Sequence, residues 1–160
     1  MSRSVALHAG FVLRPMTEDD LPQVVQIEDA TQVTPWSEGV FRDCLRGGYE
    51  CQVMEKEDQL AGFIVVSRVL DEAHLLNIAV APGFQRRGLA WGTIRQVCDD
   101  LRERDTGFIY LEVREGNTGA RVLYEKLGFE VTGERKDYYR RPGGRENAIL
   151  MLLKLRPDHK

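Results

Sequence analysis

Between an apolar stretch and an apparent helix, the chain carries Gln85-Arg86-Arg87-Gly88-Leu89-Ala90, two arginines and a glycine with no acidic residue close by. A strand that feeds a helix through a glycine-containing loop exposes unpaired backbone N–H groups at the positive end of the helix dipole, and such a place binds phosphate. Gly88 lets the backbone approach an anion closely, Ala90 keeps the first helical turn narrow, and Arg86 and Arg87 add positive charge at the rim. The expected ligand is a pyrophosphate. Gly83 and Gly88 have the spacing of a Walker A loop, but Leu89-Ala90 replaces its Lys-Ser/Thr, which excludes a triphosphate with magnesium. The G-x-G-x-x-G dinucleotide fingerprint is absent too. On spacing alone, a basic turn capping an ordinary helix accounts for these residues equally well.

Glu112 is a lone carboxylate in the apolar run "GFIYLEVRE". Desolvation raises the pKa of a buried carboxylate and suits it to accept a proton; the alternative is a side chain that faces solvent or pairs with Arg114. Tyr124 lies on a helical stripe with Ala120, Leu123 and Leu127, which by itself reads as core packing. Asn117 reads as a helix cap. Trp36 is either a helix anchor or the wall of a groove. Glu28, Asp29, Asp71 and Glu72 are candidates for attracting a basic terminus, and otherwise ordinary surface charge. The stretch "RKDYYRRPGGR" reads as a solvated hairpin whose aromatics line a peptide groove.

These residues need elements to position them. Residues 11–14 predict a short strand; Thr17 followed by Asp20 predicts a helix start, with Leu21, Val24, Val25 and Ile27 on its apolar face. Pro35-Trp36-Ser37-Glu38 opens a second helix that stops at Gly47-Gly48. Residues 51–54 and 60–70 form a hairpin across "EKEDQ", and a third run covers 73–80. Ile94, Val97, Cys98 and Leu101 mark a helix over 89–104, and "GFIYLEV" a central buried strand. A helix from Thr118 stops at Gly128, and strands over 129–139 and 148–155 close the chain. The order β-α-α-β-β-β-α-β-α-β-β predicts a mixed α/β single domain over residues 1–160, with 1–10 a flexible N-terminal extension.

The 160 residues, 42% hydrophobic and 29% charged, suit one globular domain with its own core. A net charge of -3 argues against a general nucleic-acid binder and tolerates a cationic substrate. Cys44, Cys51 and Cys98 lack zinc-site spacing and an adjacent histidine, so they read as core or surface thiols in a reduced, cytoplasmic protein without a metal. His8 and Arg14-Pro15 interrupt the opening residues, which argues against a signal peptide, and no apolar run approaches a membrane span.

The loop at 85–90 matches the Q/R-x-x-G-x-G/A motif of the GCN5-related N-acetyltransferases (GNAT), and the element order resembles their fold, a mixed central sheet with helices on both faces. Within that superfamily the chain resembles the RimI family, bacterial enzymes that acetylate the N-terminal alanine of protein eighteen of the small ribosomal subunit. That resemblance covers about residues 12–155 and rests on Pro35-Trp36-Ser37, "LDEAHLLNIAVAP", "LEVREGN", "LYEKLGF", and Tyr138-Tyr139 with "GRENA". It implies acetyl-CoA as co-substrate, its pyrophosphate on the N–H groups of Arg86, Arg87, Gly88, Leu89, Ala90 and Trp91. The pantetheine arm lies beside Ile78, Ala79 and Val80 as if extending the sheet, and Asn117 also contacts the cofactor. Glu112 becomes the base and Tyr124 the proton donor to the departing thiolate. The implied partner is the N-terminus of a small-subunit ribosomal protein, met by a monomer without nucleic acid or membrane. Trp91 stands where relatives carry a smaller or basic residue, and Asn147 where "GREDA" is typical. An acetyltransferase for lysine, other protein termini or small amines, and a non-catalytic acyl-CoA sensor, are the alternatives.

Overall fold

A computed structural model describes residues 4–156. These form two compact units, one of residues up to Ser67 with Leu76–Ile94, the other of Arg68–Leu75 with the residues from Arg95 onward. Among the described residues, eight strands hydrogen-bond in the order β1-β2-β3-β4-β5-β6-β8-β7, with ranges given below.

In the first unit, β1 (Val5–Ala6), β2 (Val12–Pro15), β3 (Glu50–Lys56) and β4 (Gln59–Val69) make consecutive antiparallel pairs. The turn between β3 and β4 puts Glu57 and Asp58 at φ 53° and 67°, the double left-handed geometry of a two-residue hairpin. Helix α1 (Leu21–Thr31) follows a 3-10 turn over Glu18–Asp20. There the Thr17 N–H donates to the Asp20 carboxylate at 2.8 Å, so the cap appears where Thr17 predicts it, one turn before the α-helix proper. Helix α2 (Glu38–Arg46) is capped by Ser37, whose hydroxyl accepts the Val40 N–H, and ends at Gly47. Leu21, Val24 and Ile27 pack with Phe41, Phe63 and Val65, the two phenylalanines edge to face at 5.2 Å. Trp36 meets Phe41 at 5.2 Å with the rings tilted by 56° and packs against this core, the anchoring role.

Residues 4–10, expected as an extension, include β1, which pairs Val5 with Leu13 and Ala6 with Val12.

β5 (Glu72–Val80) carries the cofactor expectations at Ile78, Ala79 and Val80. Its final residues run so close to β4 that a Cβ on Gly62 would meet the Ala79 carbonyl oxygen, with Met54 Sδ at 2.9 Å and Val80 Cα at 3.2 Å. Backbone cannot yield as a side-chain tip can. Gly62→Ala is therefore expected to destabilise the protein by about 1–3 kcal/mol, read as a lowered urea midpoint, and to weaken acetyl-CoA binding by shifting residues 78–80.

In the second unit, residues Glu72 to Leu75 of β5 pair in parallel with Phe108 to Leu111 of β6 (Phe108–Arg114). That ladder stops at Leu75 and Leu111, while β5 continues to Val80 and β6 to Arg114. β6 pairs antiparallel with β8 (Gly144–Lys154), and β8 with β7 (Glu130–Arg141). Helix α4 (Thr118–Leu127) ends at Gly128 with φ 107°, as the glycine predicts. Helix α3 (Leu89–Glu103) starts in the first unit and belongs to the second from Arg95; Ile94, Val97, Cys98 and Leu101, the predicted stripe, are buried.

β8 starts at Gly144, four residues ahead of the predicted 148. Pro142 and Gly143 close the hairpin in two residues, Arg141 pairing with Gly144, so charged residues that read as loop belong to strands.

Candidate functional site

Each unit carries one part of the expected machinery. In the first, a 3-10 turn over Pro82–Phe84 ends β5 and leads into the loop. Gln85 is extended, and its amide donates to the Val80 carbonyl at 2.9 Å, tying the loop to the end of β5. Arg86 and Gly88 then adopt φ 66° and 79°. Glycine takes this conformation freely; Arg86 holds it against the strain of a Cβ. The Gly92 N–H donates to the Gly88 carbonyl at 3.0 Å, so the N–H groups of Leu89, Ala90 and Trp91 precede the first intrahelical donor. With the left-handed residues Arg86 and Gly88 before them, these N–H groups are of the kind that binds a phosphate at a helix start. Leu89 is buried and fixes the helix start. Arg87 folds back, its guanidinium 5.3 Å over the Phe84 ring and donating to the Gly83 carbonyl at 3.2 Å.

In the second unit, Tyr110 and Glu112 share one face of β6, two residues apart. His74 stands opposite Tyr110 in the parallel register, and the two rings stack at 4.4 Å and 18°. This brings His74 Nε2 to 3.6 Å from one Glu112 oxygen, and Arg135 of β7 to 3.7 Å from the other. The Glu112 side chain keeps 18% of its exposure, enough to reach a substrate or a water. The expected lone carboxylate thus has two nitrogen neighbours. Arg114 instead pairs with Glu146 at 3.3 Å and lies 4.4 Å over Tyr139. Burial pushes the His74 imidazole below its usual pKa, while the Glu112 charge pulls the other way without prevailing. His74 is therefore uncharged at neutral pH.

Tyr124 is 7% exposed and packs against Phe129 at 5.7 Å. Burial, reinforced by Tyr139, pushes its phenol up to about 12. Tyr139 is likewise pushed up to about 12, first by burial and then by the Glu112 charge. Tyr139 thus feels the Glu112 charge, and Tyr124 in turn feels Tyr139. Both phenols stay protonated throughout the neutral range. Asn117 caps α4, its side-chain oxygen accepting the Ala120 N–H at 3.2 Å.

Asn147 serves the β7 irregularity between Arg135 and Tyr139. It accepts the Asp137 N–H at 2.9 Å and donates to Glu134 at 2.8 Å and Glu115 at 3.2 Å. An aspartate there would face two carboxylates with no proton to donate. The asparagine departure is matched by its surroundings.

Asp29, Asp71 and Glu72 are exposed, but Glu28 is only 1% exposed. Its carboxylate accepts the Trp36 N–H at 2.9 Å and the Asn77 amide at 3.0 and 3.2 Å, joining α1, the approach to α2, and β5. Burial raises its pKa despite these bonds. Stability from Glu28 is thus full below the ordinary carboxylate value of 4.5 and is lost as pH rises through its higher folded value. Glu28→Ala strands two partly buried donors and is expected to cost about 1–3 kcal/mol. Glu28→Gln keeps an acceptor for Trp36, costs less, and removes this pH-dependent part; urea unfolding at pH 5 and pH 8 reads both.

Burial raises all three thiols, Cys51 to about 12, Cys98 to about 11 and Cys44 above its usual value. They are protonated at neutral pH, poor nucleophiles for a covalent acetyl-enzyme.

The Acetyltransferase (GNAT) family model matches residues 13–129, extending through both units. A [Ribosomal protein bS18]-alanine N-acetyltransferase of Salmonella typhimurium is 41% identical over 86% of this chain and 93% of its own. Its counterpart from Haemophilus influenzae is 38% identical over 85% and 93%. The crystal structure of the ribosomal-protein-S18-alanine N-acetyltransferase from Escherichia coli superposes with a TM-score of 0.87 at 35% identity, covering 94% of this chain and 97% of that one. Ard1 from Thermoplasma volcanium gives 0.85 at 25% identity over 93% and 100%. The motif at 85–90 and the order of elements therefore have their explanation: the chain belongs to the GNAT acetyltransferase family, has its fold, and is an N-acetyltransferase.

Proposed function

We propose that this enzyme moves an acetyl group from acetyl-CoA directly to the α-amine of the N-terminal alanine of ribosomal protein bS18. The observation that carries this reading is the 41% identity to a bS18-alanine N-acetyltransferase along 93% of that relative. The loop fits the co-substrate because its first-turn donors precede the first intrahelical bond and its two left-handed residues open the backbone toward an anion. When bound, acetyl-CoA supplies an acetyl group activated as a thioester.

The chain's own residues do the rest. The N–H groups of residues 86–91 hold the diphosphate. Residues 78–80 of β5, past the end of the ladder with β6, offer backbone groups to the amides of the pantetheine arm. Asn117 contacts the cofactor from the start of α4. Glu112 takes the proton of the substrate ammonium, directly or through water, as the nitrogen becomes nucleophilic. Tyr124 donates a hydrogen bond and then a proton to the departing sulfur.

The α-amine suits such a site. Near pKa 8 it is about 10% neutral at pH 7, whereas a lysine near 10.4 is neutral well under about 0.1% of the time. Two peptides test the reading, one with the free bS18 N-terminus and one N-terminally blocked but containing lysine. Acetylation of the first alone is expected. Preferred acetylation of the second would overturn the assignment.

A further inference from the structure

The cofactor loop is gripped by a segment that lies ahead of the family-matching region, which begins at residue 13. β1 fixes Val5 and Ala6 to β2. A tight turn follows, closed by Leu7 N–H to Phe11 O at 2.8 Å and Phe11 N–H to His8 O at 3.2 Å. Phe11 then meets Phe84 edge-on at 5.8 Å, in the turn that precedes the loop. The segment is thus anchored on both sides of His8.

From this turn His8 reaches the loop itself. Its Nε2 lies 2.6 Å from the Arg87 carbonyl oxygen. Its ring lies 3.6 Å from where a Cβ on Gly88 would stand and 3.7 Å from the same point on Gly92. A carbonyl only accepts, so Nε2 carries the proton. In a trans peptide the C=O and the following N–H point in opposite directions. The bond that holds the Arg87 oxygen toward His8 therefore holds the Gly88 N–H away from it. Without a side chain at Gly88, little steric resistance opposes rotation of this peptide plane. A flipped plane would replace an N–H donor with an oxygen lone pair, repelling a diphosphate.

We propose that His8 is a positioning residue for the cofactor: it locks the Arg87–Gly88 peptide in the orientation that presents the Gly88 N–H to the diphosphate of acetyl-CoA. This rests on reading residues 86–91 as the diphosphate site. The inference explains why an exposed histidine in a short N-terminal strand-and-turn segment meets the loop at its most rotatable peptide.

The test compares kcat/KM for acetyl-CoA and for S-acetylpantetheine, which lacks the diphosphate, in wild type, His8→Ala and His8→Gln. The ratio of the two donors isolates the loop from any general loss of activity. Wild type is expected to prefer acetyl-CoA, and His8→Ala to lose roughly three- to tenfold of that preference, the effect of one net hydrogen bond. His8→Gln, whose amide can still donate, is expected to recover part of it. An unchanged ratio in His8→Ala, including equal losses with both donors, overturns the role of His8. A wild type without preference for acetyl-CoA overturns the diphosphate reading beneath it, so the two failures are distinguishable.

Discussion

Glu112→Gln is expected to lower kcat/KM for the N-terminal peptide by about 10²- to 10⁴-fold at pH 7, the range for loss of a positioned base. Glutamine keeps the size of the side chain and cannot take the proton. His74 at 3.6 Å and Arg135 at 3.7 Å still flank the position, so gross rearrangement is not the cause. The pH dependence supplies the decisive sign. Above about pH 8 the α-amine loses its proton without help. The defect should therefore shrink as pH rises through that value, because the missing step is no longer needed. In wild type, activity should fall on the acid side as the amine is held protonated and His74, its pKa lowered by burial, finally gains charge beside Glu112. Initial rates of wild type and Glu112→Gln from pH 5.5 to 9.5 measure both limbs. A defect constant across that range would speak against proton removal by Glu112.

Tyr124→Phe is expected to lower kcat by about 10²-fold and to leave KM for acetyl-CoA nearly unchanged. The split follows from the proposed role of the hydroxyl: the sulfur needs a proton only as the carbon–sulfur bond breaks, so the interaction would belong to the transition state. Loss of binding alone would move KM instead. Stability should change little, because the ring contact with Phe129 is kept and only the hydroxyl is lost. With its phenol pushed up to about 12 by burial, Tyr124 should give no basic limb below pH 9.5. Thermal melting together with steady-state kinetics separates these effects. A phenylalanine variant with full kcat would remove Tyr124 from the mechanism.

The fold was legible where periodicity was strong. The stripes on α3 and α4, Gly128 and the start of α2 within Pro35-Trp36-Ser37-Glu38 lie at the positions their residue types predict, because each is governed by local geometry. β1 was not legible, since two residues in a mixed segment acquire strand geometry only by pairing with β2. The early start of β8 was hidden by charge, as exposed arginines look the same in a loop and in an exposed hairpin.

Among the candidate site residues, the loop stood out as a basic glycine turn fit for a pyrophosphate and Glu112 as a carboxylate in an apolar run, while the identity of the co-substrate and the choice of Glu112 as base came from the family resemblance. His74 did not stand out. Its place beside Glu112 depends on the parallel register of β5 and β6, a pairing across 36 residues that no local pattern encodes. Glu28 left a clue that its charge obscured. It falls four residues after Val24 and seven after Leu21, on the apolar side of α1, where a carboxylate must find internal donors.

The proposed grip of bare amide hydrogens at the start of α3 on the diphosphate of coenzyme A is the feature on which the proposed mechanism depends. Backbone amide NMR of the ¹⁵N-labelled enzyme, titrated with coenzyme A and separately with pantetheine, tests this most directly. Saturating coenzyme A should move the amide resonances of residues 86–91 strongly, and pantetheine should leave most of them in place while shifting those of 78–80. Saturable binding of coenzyme A that moves no amide between 86 and 91 would contradict it.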